Sequence, residues 1–490
     1  MRCTALTTTA QHIAWHARHS PDATAVTEHG TRISYRTLAI DLLRCVQALE
    51  EFGIGPGMLC ATEAPQRYRH LLLMLAGEII GAAVIAMSRE DLAADNDVLR
   101  ACDALVTATT PVRAPVPRTL AMPPEWPPGP AEPWHDDAPF ARLQRPIAPD
   151  TVTLITRTSG TTGRPKAMPM THATQQLRIA RNIERVAHDI LPNPRFLCLY
   201  RLNVGSVYLR VLGILQSAGT VVFTGREHVH GLIAAGAVNY AVFTLGDAEH
   251  LIRGASLPPE GHRLHVETFG AALGPALRQQ IRARLTPHYT SKYSSNETNP
   301  VSIVDDDNVG TLCPGVAVRI VDDAGADVPQ GEVGRIRVRS PTMVHGYFND
   351  PELTSACFID GWFQTSDIGS MPAPDKLIVL GRIDDMLNVG GVKIARLPLE
   401  DALKRIAGVA DAAVFCIAGA NAVGRLLAAV ELRTEHSPDD TLRRIGDELV
   451  RHTRYFDIMP LPWFPRSESG KVRRRDIEAA WAGRQPALHP

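Results

Sequence analysis

Residues 158 to 166 read Thr158-Ser159-Gly160-Thr161-Thr162-Gly163-Arg164-Pro165-Lys166. A β-branched run at 152–156 precedes them and predicts a strand, and Thr171-His172 is typical of the start of a helix. Glycines let backbone N–H groups approach an anion closely, and the hydroxyls and Lys166 add donors and positive charge. The stretch therefore predicts a phosphate-binding loop, although its spacing is not that of the Walker motif. A polar surface turn is the alternative.

The composition is that of a globular enzyme with more than one domain. The chain has 490 residues, of which 45% are hydrophobic and 21% charged, and its net charge is -1. This balance predicts neither a nucleic-acid partner nor binding to an anionic membrane. The apolar segment 71–87 is interrupted by Glu78 and two glycines, so we expect a helix and a buried strand there and no membrane span.

Cysteine usage predicts the compartment. The eight cysteines are scattered, and no two of them form a Cys-x-x-Cys pair. This is typical of reduced, mostly buried thiols in a cytoplasmic protein. The N-terminus lacks the apolar core of a signal peptide. We therefore expect a cytoplasmic location.

Strand and helix patterns alternate over most of the chain. Predicted strands lie at 23–26, 32–35, 56–61, 195–200, 220–223 and 240–244. Helical periodicity is found at 36–52 and 209–218. Such alternation indicates an α/β fold with a largely parallel sheet. The proline-rich segment 111–149 predicts an irregular linker rather than an SH3 ligand.

Several motifs, taken in order, resemble those of the adenylate-forming superfamily, which contains acyl-CoA synthetases, peptide-synthetase adenylation domains and firefly-type luciferases. The matching segments are 33–38, 158–166, 293–298, 331–338, 361–369, 381–385, 386–394 and 465–474. The resemblance covers essentially the whole chain. It implies a large α/β N-terminal domain of several subdomains over residues 1–383, which binds ATP and the acid. It also implies a small, mobile α+β C-terminal domain over residues 384–490.

The resemblance also implies the residues of the active site. Lys166, Lys471 and Glu297 are the expected catalytic residues, and Glu297 is also the expected Mg²⁺ ligand, since this ion prefers carboxylate oxygens. The expected nucleotide-binding residues are Thr158, Ser159, Gly160, Thr161, Thr162, Gly163, Gly270, Ala271, Ala272, Tyr293, Asn296, Asp367 and Arg382. Asp367 would hold the ribose, because a carboxylate accepts from both ribose hydroxyls. A solvated salt bridge is the alternative for Asp367 and Arg382, and a basic surface tail is the alternative for Lys471.

Further residues are implied for the acid and for the acceptor thiol. Asp384 is the expected hinge, and Gly390 and Gly391 would let a pantetheine arm pass close to the backbone. The family's acid pocket is walled by the segment that here contains Asn203, for which an ordinary loop role is the alternative. This segment lacks the Phe-Asp-x-Ser pattern of amino-acid-activating members, which favours an aryl or aliphatic acid.

The implied function is ATP-dependent activation of a small carboxylic acid to an acyl-AMP, with release of pyrophosphate. Transfer to a thiol would follow, either of CoA or of the phosphopantetheine on a carrier protein, and ATP and Mg²⁺ are the expected cofactors. Stand-alone amino-acid adenylation and amide-forming ligation are alternatives. The chain departs from the family pattern at Ser294, Asn296, Ser366, Arg396 and Pro398. A nucleotide-binding scaffold with weakened catalysis is therefore a further alternative.

Overall fold

The structure is a computed structural model that describes most of the chain. The described residues are 8–93, 97–108, 114–123, 126, 138–157, 166–184, 193–254, 263–269, 275–383, 386–389, 392–418, 424–465 and 472–483.

The first part of the chain, up to residue 184, alternates strands and helices. Its elements are α1 (Thr9–His19), β1 (Thr24–Glu28), β2 (Thr31–Ser34), α2 (Tyr35–Glu51), β3 (Leu59–Glu63), α3 (Arg67–Ile80), β4 (Ala83–Ala86), α4 (Arg89–Ala93), α5 (Asp97–Arg100), β5 (Ala104–Thr107), β6 (Thr119–Ala121), β7 (Val152–Arg157), β8 (Ala167–Thr171) and α6 (His172–Ile183).

The middle part begins with the same alternation and ends in antiparallel strands. Its elements are β9 (Arg195–Cys198), α7 (Gly205–Gln216), β10 (Thr220–Phe223), α8 (Val229–Ala234), β11 (Tyr240–Phe243), α9 (Leu245–Arg253), β12 (His265–Thr268), α10 (Pro275–Arg284), β13 (Tyr289–Ser295), β14 (Asn299–Val304), β15 (Val309–Leu312), β16 (Ala317–Val321), β17 (Gly334–Arg339), α11 (Pro351–Cys357), β18 (Phe358–Ile359), β19 (Trp362–Ala373) and β20 (Lys376–Arg382).

The last part mixes strands with three helices. Its elements are β21 (Met386–Val389), β22 (Val392–Ala395), α12 (Arg396–Lys404), β23 (Val409–Ala418), β24 (Gly424–Leu432), α13 (Pro438–Val450), β25 (Phe456–Leu461) and α14 (Arg474–Ala482).

Two sheets organise the first two parts. One has the strand order β6-β5-β3-β4-β7-β8, and it is parallel except for the β7–β8 pair. The other follows β2-β1-β10-β9-β11-β12-β13 and then continues through antiparallel strands, β14-β15-β20-β19-β17-β16. The strands from β1 to β13 in this order are parallel to one another.

The main core lies between these two sheets. In α3 every residue from Leu71 to Ile80 is buried, and in α7 every residue from Val207 to Leu215 is buried. A helix that is apolar all round needs cover on every side. The cover comes from strands of both sheets, which share one hydrophobic cluster with these helices. This arrangement confirms the predicted α/β layering.

The last part forms a smaller sheet, β23-β24-β25, with a hydrophobic cluster on each face. Side chains alternate between the faces: Val414 and Ala428 contribute to the cluster that includes α12 and α13, whereas Phe415 and Leu427 join the one that includes α14. The prediction of a smaller α+β C-terminal domain is confirmed.

Most predicted elements are confirmed with ends that differ by a few residues, and two predictions are wrong in part. The expected strand at 32–35 ends one residue early, because Ser34 caps α2 by accepting a hydrogen bond from the Thr37 amide at 3.1 Å. The expected linker at 111–149 contains the short strand β6 and a 3₁₀ helix, Ala138–Gln144.

One strand was not predicted at all. β8 follows Lys166 directly and pairs antiparallel with β7, so the phosphate-loop segment joins two strands before α6 begins. Pro169 hides this strand in the sequence, since proline lacks an N–H donor. It is tolerated because β8 lies at the edge of its sheet.

Within the part of the chain that the structure describes, no helix is both long and apolar enough to cross a bilayer. Four of the described cysteines, Cys45, Cys60, Cys102 and Cys198, are buried free thiols.

A buried carboxyl group makes the stability of this core dependent on pH. Glu78 on α3 accepts hydrogen bonds from the Tyr208 hydroxyl at 2.7 Å and from the Gln175 amide at 2.9 Å. Burial nevertheless raises the pKa of Glu78 to about 7. Because folding raises this pKa, the contribution of the protonated Glu78 carboxyl group to the stability of the folded protein is complete below the pKa of the unfolded state. This contribution is lost as the pH rises through about 7. The free energy of unfolding falls by roughly 3 kcal/mol as a result.

We therefore expect Glu78→Gln to gain thermal stability relative to the wild type as the pH rises from 5 to 8. The amide keeps an oxygen for Tyr208 and Gln175 and cannot ionise. The measurement is the difference in Tm between variant and wild type across this range. Glu51→Gln, at an exposed position, is the control and should show no such trend. A Tm difference for Glu78→Gln that does not change with pH would contradict the assignment.

Candidate active site

The centre of the candidate site is the tight turn between β13 and β14. Ser295 pairs with Asn299 across this hairpin, and the Ser295 hydroxyl accepts a hydrogen bond from the Thr298 amide at 3.1 Å. Asn299 has a φ of 64°, a left-handed conformation that asparagine tolerates. Glu297 lies on this turn and is only 8% exposed, whereas the neighbouring Asn296 is exposed to solvent.

Tyr347 connects Glu297 to the end of the phosphate-loop segment. Its hydroxyl donates to Glu297 Oε1 at 3.0 Å, and the ammonium of Lys166 lies 5.0 Å from the centre of its ring. A cation above a tyrosine ring at this distance is attracted electrostatically. The structure therefore brings together two of the predicted catalytic residues, Lys166 and Glu297, through a residue that the sequence did not suggest.

Tyr347 could not have been found from the sequence. Its hydrogen-bond partner Glu297 is 50 residues away along the chain, and a Gly-Tyr pair carries no spacing signal of its own. Tyr347 is buried in a small cluster with Met168 of β8 and Val344, so packing against these residues fixes the position of its ring.

Tyr293 and Asp367 form a second pair in the site. The Tyr293 hydroxyl donates to Asp367 Oδ2 at 2.5 Å, although β14, β15 and β20 separate β13 from β19 in the strand order. The antiparallel region must therefore curl for this bond to form. Burial and the neighbouring Asp367 carboxylate raise the pKa of Tyr293 well above its ordinary value, so the phenol keeps its proton. Arg382 lies opposite Asp367 in the β19–β20 pairing.

These contacts unite six of the predicted residues in one region. Lys166, Tyr293, Asn296, Glu297, Asp367 and Arg382 lie on the β13–β14 turn, the β19–β20 pair or the segment that leads into β8. The Glu297 carboxylate also contributes to the raised pKa of Tyr293, which places the two side chains near each other. The solvated salt bridge considered for Asp367 does not describe its contact with Tyr293.

Asn203 lies in the connection between β9 and α7. Its residue is half-buried, and no described residue forms a hydrogen bond with its side chain. Two half-buried aromatic residues flank the same region: the rings of Tyr200 and Phe269 meet edge to face with centroids 5.1 Å apart. Tyr200 follows β9 and Phe269 follows β12, at the carboxyl ends where ligands bind in parallel sheets.

The other predicted site residues lie outside the described part of the chain. They are Thr158, Ser159, Gly160, Thr161, Thr162, Gly163, Gly270, Ala271, Ala272, Asp384, Gly390, Gly391 and Lys471. In the basic run that follows Lys471, Arg474 is described and holds the buried Glu400 with two hydrogen bonds of 2.7 and 2.8 Å. Arg474 is thus a structural residue of the C-terminal sheet region rather than part of a solvated tail.

The chemistry of the Glu297 turn fits a magnesium ion. Oε1 of Glu297 accepts the bond from Tyr347, and no other described side chain donates to this carboxylate. Magnesium is commonly bound by one or two carboxylates together with phosphate oxygens and water. Glu297 would supply the carboxylate, with Lys166 close by for the phosphates.

The sequence model of the AMP-binding enzyme family matches residues 13–348. The chain belongs to this family. Among curated AMP-binding relatives, the feruloyl-CoA synthase of an Amycolatopsis species is 27% identical over 94% of this chain and 97% of its own length. The indoleacetate–CoA ligase of Aromatoleum aromaticum is 27% identical over 68% of each chain.

A solved structure shows the same fold. The ATP-bound MatB protein of Rhodopseudomonas palustris superimposes with a TM-score of 0.78 at 20% identity, and it covers 96% of this chain and 99% of its own. The family match and the curated relatives confirm the resemblance to adenylate-forming enzymes. The chain is an ATP-using ligase of the AMP-binding family.

We expect Tyr347→Phe to slow catalysis without unfolding the protein. The phenyl ring keeps its packing and its contact with Lys166, but Glu297 loses a donor, and a hydrogen bond to a charged group contributes about 1.5–3 kcal/mol. The kcat/KM for pyrophosphate release should fall about tenfold or more. Tyr455→Phe, at an exposed tyrosine of the C-terminal region, should leave it unchanged. An unchanged rate in Tyr347→Phe would show that the contact with Glu297 does not matter for catalysis.

Proposed function

We propose that this enzyme activates an aromatic carboxylic acid with ATP to an acyl-AMP, and then passes the acyl group to the thiol of CoA. The observation that carries the proposal is the link from Lys166 through Tyr347 to Glu297, with Tyr293 and Asp367 on the adjoining strands. Cationic and metal-binding groups for phosphates thus lie beside a carboxylate suited to ribose hydroxyls. An extended ATP presents its phosphates and its ribose in the same order.

In the first half-reaction the carboxylate oxygen of the acid attacks the α-phosphorus of ATP. A bond forms between this oxygen and phosphorus, and the bond to pyrophosphate breaks. Lys166 would neutralise charge on the phosphates, and Lys471 would reach both the acid carboxylate and the α-phosphate. Charge stabilisation of this kind is the main contribution that a protein makes to phosphoryl transfer. Bound Mg²⁺, held by Glu297, would supply further positive charge at the phosphate oxygens.

In the second half-reaction the thiol loses its proton to water and its sulfur forms a bond to the acyl carbon, while the bond from this carbon to AMP breaks and AMP departs with the bonding electron pair. We propose that the chain divides between residues 383 and 384 and that the smaller domain rotates about Asp384 between the two steps. Gly390 and Gly391 would then line the path of the pantetheine arm, because glycine allows close approach to the backbone. A carrier-bound phosphopantetheine would use the same path and is the alternative acceptor.

The residues around Asn203 favour an aromatic substrate. Tyr200 and Phe269 offer aromatic surface beside Asn203, and aromatic rings prefer such edge-to-face or offset partners. The Tyr200 ring is held in place, because its hydroxyl donates to Asp247 at 2.6 Å and accepts from the Thr244 amide at 2.7 Å. Asp247 is itself paired with Arg226 at 2.5 Å and so does not offer a carboxylate to an amino acid's ammonium. The two curated relatives are named for feruloyl and indoleacetate groups, which are both aromatic.

Three acids with one carbon skeleton test this assignment. They are 3-phenylpropanoate, 3-cyclohexylpropanoate, which lacks the aromatic ring, and phenylalanine, which adds an ammonium group. With ATP and Mg²⁺ we expect pyrophosphate release to be fastest with 3-phenylpropanoate, slower with its saturated analogue and slowest with phenylalanine. With CoA added, mass spectrometry should detect the phenylpropanoyl thioester. Equal rates for the first two acids would remove the aromatic assignment, and phenylalanine as the best substrate would favour amino-acid adenylation.

Two lysine variants serve as controls for the same assay. Lys471→Ala should abolish acid-dependent release, whereas Lys376→Ala, at a half-exposed lysine beside Asp375, should leave it unchanged. Release that needs an added amine, with an amide as product, would support the amide-forming ligase. An absence of release with many acids, while ATP still binds, would support the nucleotide-binding scaffold.

A further inference from the structure

A buried arginine on α6 holds the turn that carries Glu297. Arg178 Nη1 donates to the Asn296 carbonyl at 3.1 Å, Nη2 to the Glu297 carbonyl at 3.0 Å and Nε to the Thr342 carbonyl at 2.8 Å. The residue is only 4% exposed. One planar guanidinium thus binds three main-chain oxygens, two of them on consecutive residues of the turn.

The choice of arginine follows from geometry and charge. Its five donors form a rigid fork, which can meet several carbonyls that converge on one point. Burial lowers the pKa of Arg178 to about 10, and the nearby Glu297 carboxylate acts in the opposite direction, so the guanidinium is charged at neutral pH. A buried charge is costly unless hydrogen bonds satisfy it. The turn and Arg178 therefore depend on each other.

Further hydrogen bonds, besides those of Arg178, hold the turn that carries Glu297. The Glu297 carbonyl also accepts from the Val344 amide at 2.9 Å, and the Thr342 hydroxyl donates to the Thr298 carbonyl at 2.8 Å. The same segment continues to Tyr347, and the Phe348 amide donates to the Ala167 carbonyl at 2.8 Å, next to Lys166. The turn, the 342–348 segment and the start of β8 are thus joined by hydrogen bonds.

We propose that Arg178 is a positioning residue for magnesium binding. It fixes the Glu297 turn relative to α6, and α6 follows Lys166 after the five residues of β8. Arg178 thereby helps to hold the lysine and the metal-binding carboxylate, the two ends of the phosphate site, at a set separation. This inference rests on the proposed role of Glu297 as the Mg²⁺ ligand.

Arg278 on α10 provides a matched control. It is 1% exposed and also binds a turn of the same antiparallel region, through the Asp306 carbonyl and the Asn308 side chain. That turn joins β14 to β15. Since β14 has six residues, it lies about 20 Å from the Glu297 turn, at 3.4 Å per residue. Substitution of either Arg178 or Arg278 therefore removes a buried guanidinium. Only Arg178 contacts the Glu297 turn.

The test measures ATP binding rather than turnover. Titration calorimetry gives the Kd of ATP with Mg²⁺ and with EDTA, and the ratio of the two reports how much the metal tightens binding. Arg178→Lys keeps the charge but replaces the planar fork with a single nitrogen, which does not reproduce the three positions from which the guanidinium donates. We expect Arg178→Lys to reduce this ratio about tenfold, the lower end of the range for residues that orient metal ligands. Arg278→Lys should keep the wild-type ratio even if its Tm falls as much.

Each outcome decides one question. Equal ratios in Arg178→Lys and wild type would overturn the positioning role and leave Arg178 with a structural one. Glu297→Gln must reduce the ratio; if it does not, the magnesium assignment itself fails, and the inference fails with it. If Arg178→Lys does not fold, Arg178→Gln replaces it, because its shorter amide lacks the charge and the three-nitrogen fork that hold the Asn296, Glu297 and Thr342 carbonyls. An unchanged ratio in that variant would likewise overturn the proposal.

Discussion

Two helices that are buried on every side impose the architecture of this protein. Neither α3 nor α7 can face water, so sheets must cover them from both sides, and the two large sheets do so through one shared core. Strands in such sheets carry their ligands at their carboxyl ends. The phosphate-loop segment follows β7 in one sheet, while Phe269 and Tyr293 lie at the ends of β12 and β13 in the other.

The site itself depends on contacts between distant parts of the chain. Lys166 and Glu297 do not touch directly; the Tyr347 ring and hydroxyl connect them, and Arg178 supports the turn from the opposite side. Tyr293 reaches Asp367 only because the antiparallel strands curl. Each of these residues would be an ordinary polar side chain without its partner. The geometry explains why substitutions at Ser294 and Asn296, whose side chains face solvent, leave this frame intact.

The sequence was sufficient for the fold class, and it named residues such as Lys166 and Glu297 that the structure brings together through Tyr347. Strand and helix periods predicted the alternating elements, and the glycines, hydroxyls and charge of residues 158–166 singled out Lys166. Glu297 and Asp367 were implied by the resemblance to the adenylate-forming superfamily. Strand β8 was missed because Pro169 is unfavourable for a strand, and only its position at a sheet edge makes it acceptable. Tyr347 and Arg178 were missed for another reason. Their roles arise from partners 50 and 119 residues away, and no local pattern records such pairings.

The central claim is that this site forms an acyl-AMP, and isotope exchange tests it most directly. With ATP, Mg²⁺ and 3-phenylpropanoate, but without any thiol, labelled pyrophosphate should enter ATP, because adenylate formation is reversible on the enzyme. The account predicts exchange that requires the acid and disappears when it is left out. Exchange that is absent with every acid tried, in a protein that still binds ATP, would contradict the account.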